Sequence, residues 1–179
     1  TYSKPYKELE VSCNIFVAVI TTVRNSHVHK YLRKYIRDAT NIGGMKIGYK
    51  FFVAKSEAKS IIHQQDVVAL DVDDGYLLLA TKVLAAMQWV SYNVNADYII
   101  KSDDDVYLNF RNIVKILQAK RVPKSRLITG QVNRWGSPVT RMPWHKWYLP
   151  VAQYGEEYFP TYTNGPAYIV SHDVATYLG

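Results

Sequence analysis

Residues 14–23, Asn-Ile-Phe-Val-Ala-Val-Ile-Thr-Thr-Val, are apolar or β-branched almost throughout, with no alternation of apolar and polar positions. A strand of this kind offers water no polar face, so it has to be covered on both sides, as in a parallel sheet. Helices to cover it follow. Asn25-Ser26 provides a helix start, and residues 27–39 predict a basic amphipathic helix with Leu32 and Ile36 facing inward and Tyr35 as a further candidate. Asn41-Ile42-Gly43-Gly44 stops it, and strands are expected at 47–54 and 66–70. Asp73-Asp74-Gly75 then opens a long helix over 76–92, with an aspartate available as N-cap and Leu77, Ala80, Leu84, Met87 and Val90 at helical spacing. A short strand at 98–100, a helix near 110–119, a strand at 127–130, a strand at 165–170 and a helix from 173 complete the pattern. Between the last two strands, residues 133–163 are rich in Trp, Tyr and Pro without periodicity and read as an ordered loop region. The alternation predicts an α/β domain, Rossmann-like, with a mostly parallel sheet flanked by helices.

In such sheets ligands bind beyond the carboxyl ends of the strands. Thr21 and Thr22 lie at one such end, and Ser102-Asp103-Asp104-Asp105 at another. Three adjacent carboxylates repel one another unless a cation neutralises them. Carboxylate oxygens suit Mg²⁺, Mn²⁺ or Ca²⁺ better than zinc. In extended or turn backbone, Asp103 and Asp105 can point to one side and Asp104 to the other, so two of the three can reach one metal. Read alone, the triplet favours an acidic turn whose last aspartate caps the next helix, since short acidic motifs are common.

Bulk properties narrow the field. With 179 residues and 48% hydrophobic content the chain suits one globular domain with a real core. The net charge of +7 favours anionic partners, whether nucleic acid, phosphates, nucleotides or a membrane surface, without choosing among them. The single cysteine, Cys13, excludes an internal disulfide and a cysteine zinc cluster. The five histidines have no metal spacing. No stretch is long and apolar enough to span a bilayer, and residues 1–5 do not resemble a signal peptide, so any targeting segment or anchor is expected outside this sequence.

Several blocks, in order, resemble the β-1,3-galactosyltransferase and β-1,3-N-acetylglucosaminyltransferase superfamily (glycosyltransferase family 31, fringe-like). They are Ile20-Thr21-Thr22 with Arg33-Lys34-Tyr35-Ile36-Arg37-Asp38; Gly75-Tyr76-Leu77 and Thr81-Lys82 leading to Trp89-Val90; Ala96-Asp97-Tyr98 through Asp105-Val106-Tyr107-Leu108-Asn109; Lys146-Trp147-Tyr148; and Tyr158 to Tyr162 with Gly165 and Tyr168 to Ser171. The resemblance implies a GT-A fold, a UDP-sugar donor, a glycan acceptor, Mn²⁺ (or Mg²⁺) dependence, inversion at the anomeric carbon, and a type II anchored enzyme facing the Golgi lumen. It implies that residues 1–179 form one galactosyltransferase-type catalytic domain, shortened at its C-terminal end, with the acceptor base expected beyond Gly179. The chain departs from the family at Thr40, where Trp is usual, and at Thr163, Pro166 and Ala167, where Cys and a Gly-Gly pair are common. Pro166 has no backbone N–H and restricts Gly165, which bears on the sugar pocket.

On this reading Asp105 is the direct metal ligand and Asp103 assists, through water, ribose or the metal, while Asp104 is open either to the donor or to holding the turn. Arg33 and Arg37 can contact the diphosphate or uracil, since guanidinium matches phosphate, or can lie on a solvated helix face. Thr21 and Thr22 can line the nucleotide pocket or simply end a strand. Lys82 can pair with the aspartates or sit at the surface. Trp147, Tyr148, Tyr162 and Gly165 are candidates for the acceptor or sugar pocket, the aromatic rings being equally suited to packing a loop. Asp173 is a late carboxylate better suited to capping than to acting as base. The rival readings are a glycan-binding, catalytically incomplete relative and a basic nucleic-acid-binding module. The second leaves the acidic triplet unexplained, and nucleic acid is not the expected partner.

Overall fold

The computed structural model describes residues 11–179 except residues 57, 62, 120 and 121 and the side chain of residue 59; the opening segment at 1–5 therefore lies outside the described residues. In chain order the elements are β1 (Val11–Ser12), β2 (Ile15–Ile20), α1 (Ser26–Arg37), β3 (Asn41–Ile42), β4 (Met45–Ala54), β5 (Val67–Leu70), α2 (Leu79–Asn93), β6 (Val94–Asn95), β7 (Tyr98–Asp103), α3 (Phe110–Leu117), β8 (Ile128–Asn133), β9 (Tyr162–Ser171) and α4 (His172–Leu178).

The unbroken apolar run forms β2, buried along its whole length at the middle of the main sheet. The strand pleat sends Ile15, Val17 and Val19 to one face, where they meet Ile36 of α1 and Phe110, Val114 and Leu117 of α3. Phe16, Ala18 and Ile20 go to the other face, against Ala86, Met87 and Val90 of α2 and Ala175 of α4. The result is a sheet between two helical layers, as the composition of β2 requires. Burying one such phenylalanine contributes about 1.5–3 kcal/mol, and Phe16, Phe51 and Phe52 are all fully buried.

The sheet order is β3-β4-β2-β7-β9-β8, with β5 also paired to β4. Strands β5, β4, β2 and β7 are mutually parallel, whereas β9 runs antiparallel to β7 and β8 antiparallel to β9. The expected mostly parallel sheet is thus corrected to a parallel half and an antiparallel half. The connection from β8 to β9 is an irregular loop and not a crossover helix, and only a long crossover returns a chain parallel to itself. Strands β1 and β6 form a separate parallel pair.

Helix α2 also differs from its sequence pattern. It begins at Leu79 after a 3₁₀ turn over Tyr76–Leu78, and neither N-cap receives a side-chain hydrogen bond. Asp73 and Asp74 therefore do not cap it. The inward stripe is Lys82, Ala86, Met87, Val90 and Asn93, while Leu77, Ala80 and Leu84 are exposed. Among the described residues no helix is long and apolar enough to cross a membrane.

Candidate functional site

Topology gathers one set of loops at one edge. The segments after β2, β5 and β7 all leave the carboxyl ends of parallel strands, and the antiparallel β9 brings its first residues to that same edge. There Ile20 pairs with Asp103, so β2 and β7 end side by side. A parallel sheet covered by helices leaves this edge as the place where polar side chains can collect.

The three aspartates part company. Asp104 turns inward: its Oδ2 accepts from the Thr21 hydroxyl at 2.5 Å and from Asn25 Nδ2 at 2.9 Å. Asn25 occupies the N-cap position of α1 but makes no cap hydrogen bond there, and its Nδ2 donates to Asp104. Asp103 Oδ1 accepts from the ammonium of Lys101, whose side chain is buried and whose Nζ also donates to the Gly165 carbonyl at 2.7 Å. Asp105 is exposed, with an uncommitted carboxylate among the described residues. Two carboxylates thus remain at the open edge and one locks the turn.

Thr21 is itself nearly buried, and its hydroxyl lies 2.8 Å from Nε2 of His29, a fully buried residue of α1 stacked on Phe51 at 4.4 Å. Burial, followed by the nearby Arg33 charge, holds the His29 imidazole below its ordinary pKa, against the opposing pull of Asp104 and Asp66. Sequence reading missed His29 as a core residue, although its place three and seven positions before Leu32 and Ile36 puts it on their face. It also missed Lys101 and Asn25. Lys82, expected near the aspartates or at the surface, is buried and joins Asp74 at 2.8 Å and the Thr21 carbonyl at 2.6 Å, so it pairs with neither Asp103 nor Asp105.

The remaining candidates are more dispersed. Thr22 is half-buried between β2 and α1. Arg33 is drawn away from the edge: its guanidinium pairs with Asp66 at 2.6 Å, bonds Gln64 and lies 5.0 Å over the Phe51 ring. Those contacts occupy the guanidinium with protein partners here. Burial works to raise the Asp66 carboxyl, but the Arg33 bond and charge outweigh it and hold the group below the usual range. Arg37 is exposed, its Nε donating to the Arg33 carbonyl. Gly165 and Tyr162 lie in β9 beyond the end of β7; the Tyr162 hydroxyl meets Ser137 at 2.9 Å and Asn133 at 3.3 Å. Trp147 is exposed and donates its indole N–H to the Tyr76 hydroxyl at 2.8 Å, docking the 133–163 loop on the turn before α2; Tyr148 is exposed beside it. Asp173 accepts from the Ser171 hydroxyl at 2.5 Å and the Arg126 backbone N–H at 2.9 Å, so it fastens the entry of β8 and does not stand as a free base.

The ladder between β8 and β9 slips between Gly130, opposite Tyr168, and Val132, opposite Thr163. Residues 164–167 bulge there, and Pro166, which has no N–H to give a ladder, falls inside the bulge. Pro166 thus falls outside both the β8–β9 and the β7–β9 pairings.

Among the described residues no three His, Cys, Asp or Glu side chains gather to hold a metal by themselves. Mg²⁺-like sites commonly use only one or two carboxylates, with phosphate oxygens and water completing the shell, and Asp103 and Asp105 are carboxylates of that chemical type at this edge. A cavity of about 440 Å³ opens at the same edge beside Lys55, Asp71 and Asp73. A second, of about 620 Å³, lies between the end of α1 and the start of α3 and includes Tyr107 but neither Asp103 nor Asp105.

Residues 42–179 match the profile described as Galactosyltransferase. The chain is 30% identical over 172 residues to beta-1,3-galactosyltransferase 1 of Mus musculus and of Homo sapiens, an alignment covering 90% of this chain and 52% of those proteins. It is 27% identical to a hydroxyproline O-galactosyltransferase of Arabidopsis thaliana, covering 92% of this chain and 25% of that one. It is 36% identical over 111 residues to lactosylceramide 1,3-N-acetyl-beta-D-glucosaminyltransferase of Xenopus tropicalis, covering 62% and 29% respectively. The chain spans about half the length of the β-1,3-galactosyltransferases it matches.

Proposed function

The chain belongs to the galactosyltransferase family, and on that premise we propose that it forms the donor-binding part of an inverting β-1,3-glycosyltransferase of GT-A type. The reading is a hexosyltransferase that moves galactose, N-acetylglucosamine or N-acetylgalactosamine from a UDP-sugar to a glycan hydroxyl on a glycoprotein or glycolipid. Its place is the Golgi lumen, reached through an anchor outside the described residues. The observation that carries the reading is the division of labour in the acidic triplet: one carboxylate is tied to Thr21 and Asn25, and two stand at the carboxyl edge of parallel strands.

Asp105, and Asp103 through its second oxygen, would hold a divalent cation, Mn²⁺ or Mg²⁺. Such an ion supplies Lewis-acid neutralisation of a leaving diphosphate. The protein's own part is positional. Asp104 fixes the turn, Thr21 joins it to β2, and Lys101 sets the position of Asp103 while also gripping the Gly165 carbonyl. That second grip links the diphosphate side of the site to β9, where Tyr162 and Gly165 border the proposed sugar pocket. Trp147 and Tyr148, exposed on the docked loop, offer flat faces to an acceptor ring. The net positive charge favours approach of the anionic donor.

Asp105→Ala in the full-length protein is the test. Calorimetric titration with UDP in the presence of Mn²⁺ should lose its metal-dependent heat, while thermal unfolding stays unchanged because Asp105 is exposed. Unaltered titration curves reject the assignment.

A further inference from the structure

Thr21 has one hydroxyl proton and three polar neighbours: Asp104 Oδ2 at 2.5 Å, His29 Nε2 at 2.8 Å and, at a longer 3.3 Å, the Thr22 carbonyl, which like the carboxylate can only accept. A carboxylate only accepts, so the proton points at Asp104, and the hydroxyl oxygen must accept from His29. His29 is therefore the Nε2–H tautomer. Its Nδ1 is buried without a hydrogen-bond partner. Nδ1 lacks a partner in either neutral tautomer, so the choice between them rests on Thr21 and Asp104, while a second proton there, as in the imidazolium, would add a buried donor with nothing to receive it. With the opposite tautomer, Nε2 would claim the Thr21 proton and Asp104 would lose its shorter hydrogen bond. An apolar side chain could equally stack on Phe51 and would leave no orphaned nitrogen; what the imidazole adds at this position is the Nε2–H alone.

We infer that His29 is a positioning residue for the acidic turn: its Nε2–H orients the Thr21 hydroxyl toward Asp104, which holds the middle carboxylate inward and leaves the open edge to Asp103 and Asp105. The inference rests on the reading of that edge as a cation and diphosphate site. His29 touches neither donor nor metal and acts through Thr21. Outer partners of this kind typically change metal affinity about 10–100-fold when removed.

The test uses the full-length protein. With histidine labelled by ¹⁵N, the His29 ring should show a protonated Nε2 and a bare Nδ1 at neutral pH, without any metal added. His29→Leu should weaken Mn²⁺-dependent UDP binding about 10–100-fold, and His29→Gln, whose amide N–H reaches a similar position, should recover most of that loss. Thr21→Val should reproduce the loss and Thr21→Ser should not, which decides the matter if His29→Leu fails to fold. A ring protonated on Nδ1, or parent-like titrations for both His29→Leu and Thr21→Val, overturns the inference. If Asp105→Ala abolishes binding while these variants do not, the relay is wrong and the metal reading stands. If Asp105→Ala has no effect, the metal reading falls, and the ring tautomer still decides the His29–Thr21 link.

Discussion

Replacing Lys82 by methionine isolates one buried interaction without disturbing its packing, because the two side chains have similar stems. Lys82 is 3% exposed and its ammonium has two partners, the Thr21 carbonyl at 2.6 Å and Asp74 at 2.8 Å. The Thr21 carbonyl would lose this donor, at a cost of about 1–3 kcal/mol for a buried group. Breaking a fully buried ion pair costs about 3–5 kcal/mol, but the Asp74 side chain is 23% exposed and water can take over part of its solvation. The expected destabilisation is therefore about 2–4 kcal/mol. Urea unfolding followed by circular dichroism reads this directly: with a slope of about 1–3 kcal/mol per molar, the midpoint should fall by about 1 M or more. The double variant Lys82→Met with Asp74→Asn should recover part of the loss, since the amide leaves no unpaired charge. A midpoint within about 0.2 M of the parent, or a double variant worse than the sum of the singles, would refute the view that Lys82 fastens α2 to the end of β2.

Gly136→Ala should destabilise far more than Gly44→Ala. Both glycines have positive φ, 68° and 80°, which costs about 1–2 kcal/mol for alanine, but the added Cβ at position 136 would stand 2.2 Å from the Phe159 carbonyl oxygen whereas that at 44 meets nothing within 4 Å. Differential scanning calorimetry of the pair checks this, and equal melting temperatures would contradict it. Arg33→Met should flatten the acid limb of the stability curve. The folded Asp66 carboxyl is held below its unfolded value, so its contribution is present above the usual aspartate range and is lost as pH falls through the depressed folded value. Stability measured in urea as pH is lowered should show a shallower decline in the variant, and parallel curves would count against the pair.

Where local chemistry and tertiary context agree, the elements are legible from sequence. Strand β2 is an unbroken apolar run, and β7 opens on one, Tyr98-Ile99-Ile100, before turning polar at Lys101-Ser102-Asp103; the acidic turn follows at the edge such a sheet leaves open. The antiparallel half was hidden, because strand direction depends on how the 133–163 loop returns and that loop has no periodicity. Helix α2 misled in both directions. Leu77 and Leu84 look like core and are exposed, while Lys82 looks like surface and is buried, since a lysine is interior only when partners such as Asp74 exist and they cannot be read from spacing. His29 and Lys101 were missed for the same reason: each is a polar residue at an inward register position whose partner is distant in sequence. Backbone alternation allowed one aspartate to part from the other two, but what turns Asp104 inward, the pair Thr21 and Asn25, became visible only once β2 and β7 lay side by side.

The bulge around Pro166 has a mechanical consequence. The Gly165 carbonyl it presents is gripped by the same ammonium that holds Asp103. Two segments far apart in the sequence are thereby coupled through a single cation; on the proposed reading, remodelling the proline segment to admit a different sugar would also shift an anchor for the pyrophosphate. If that reading holds, substrate preference and metal affinity should drift together and resist being tuned one at a time.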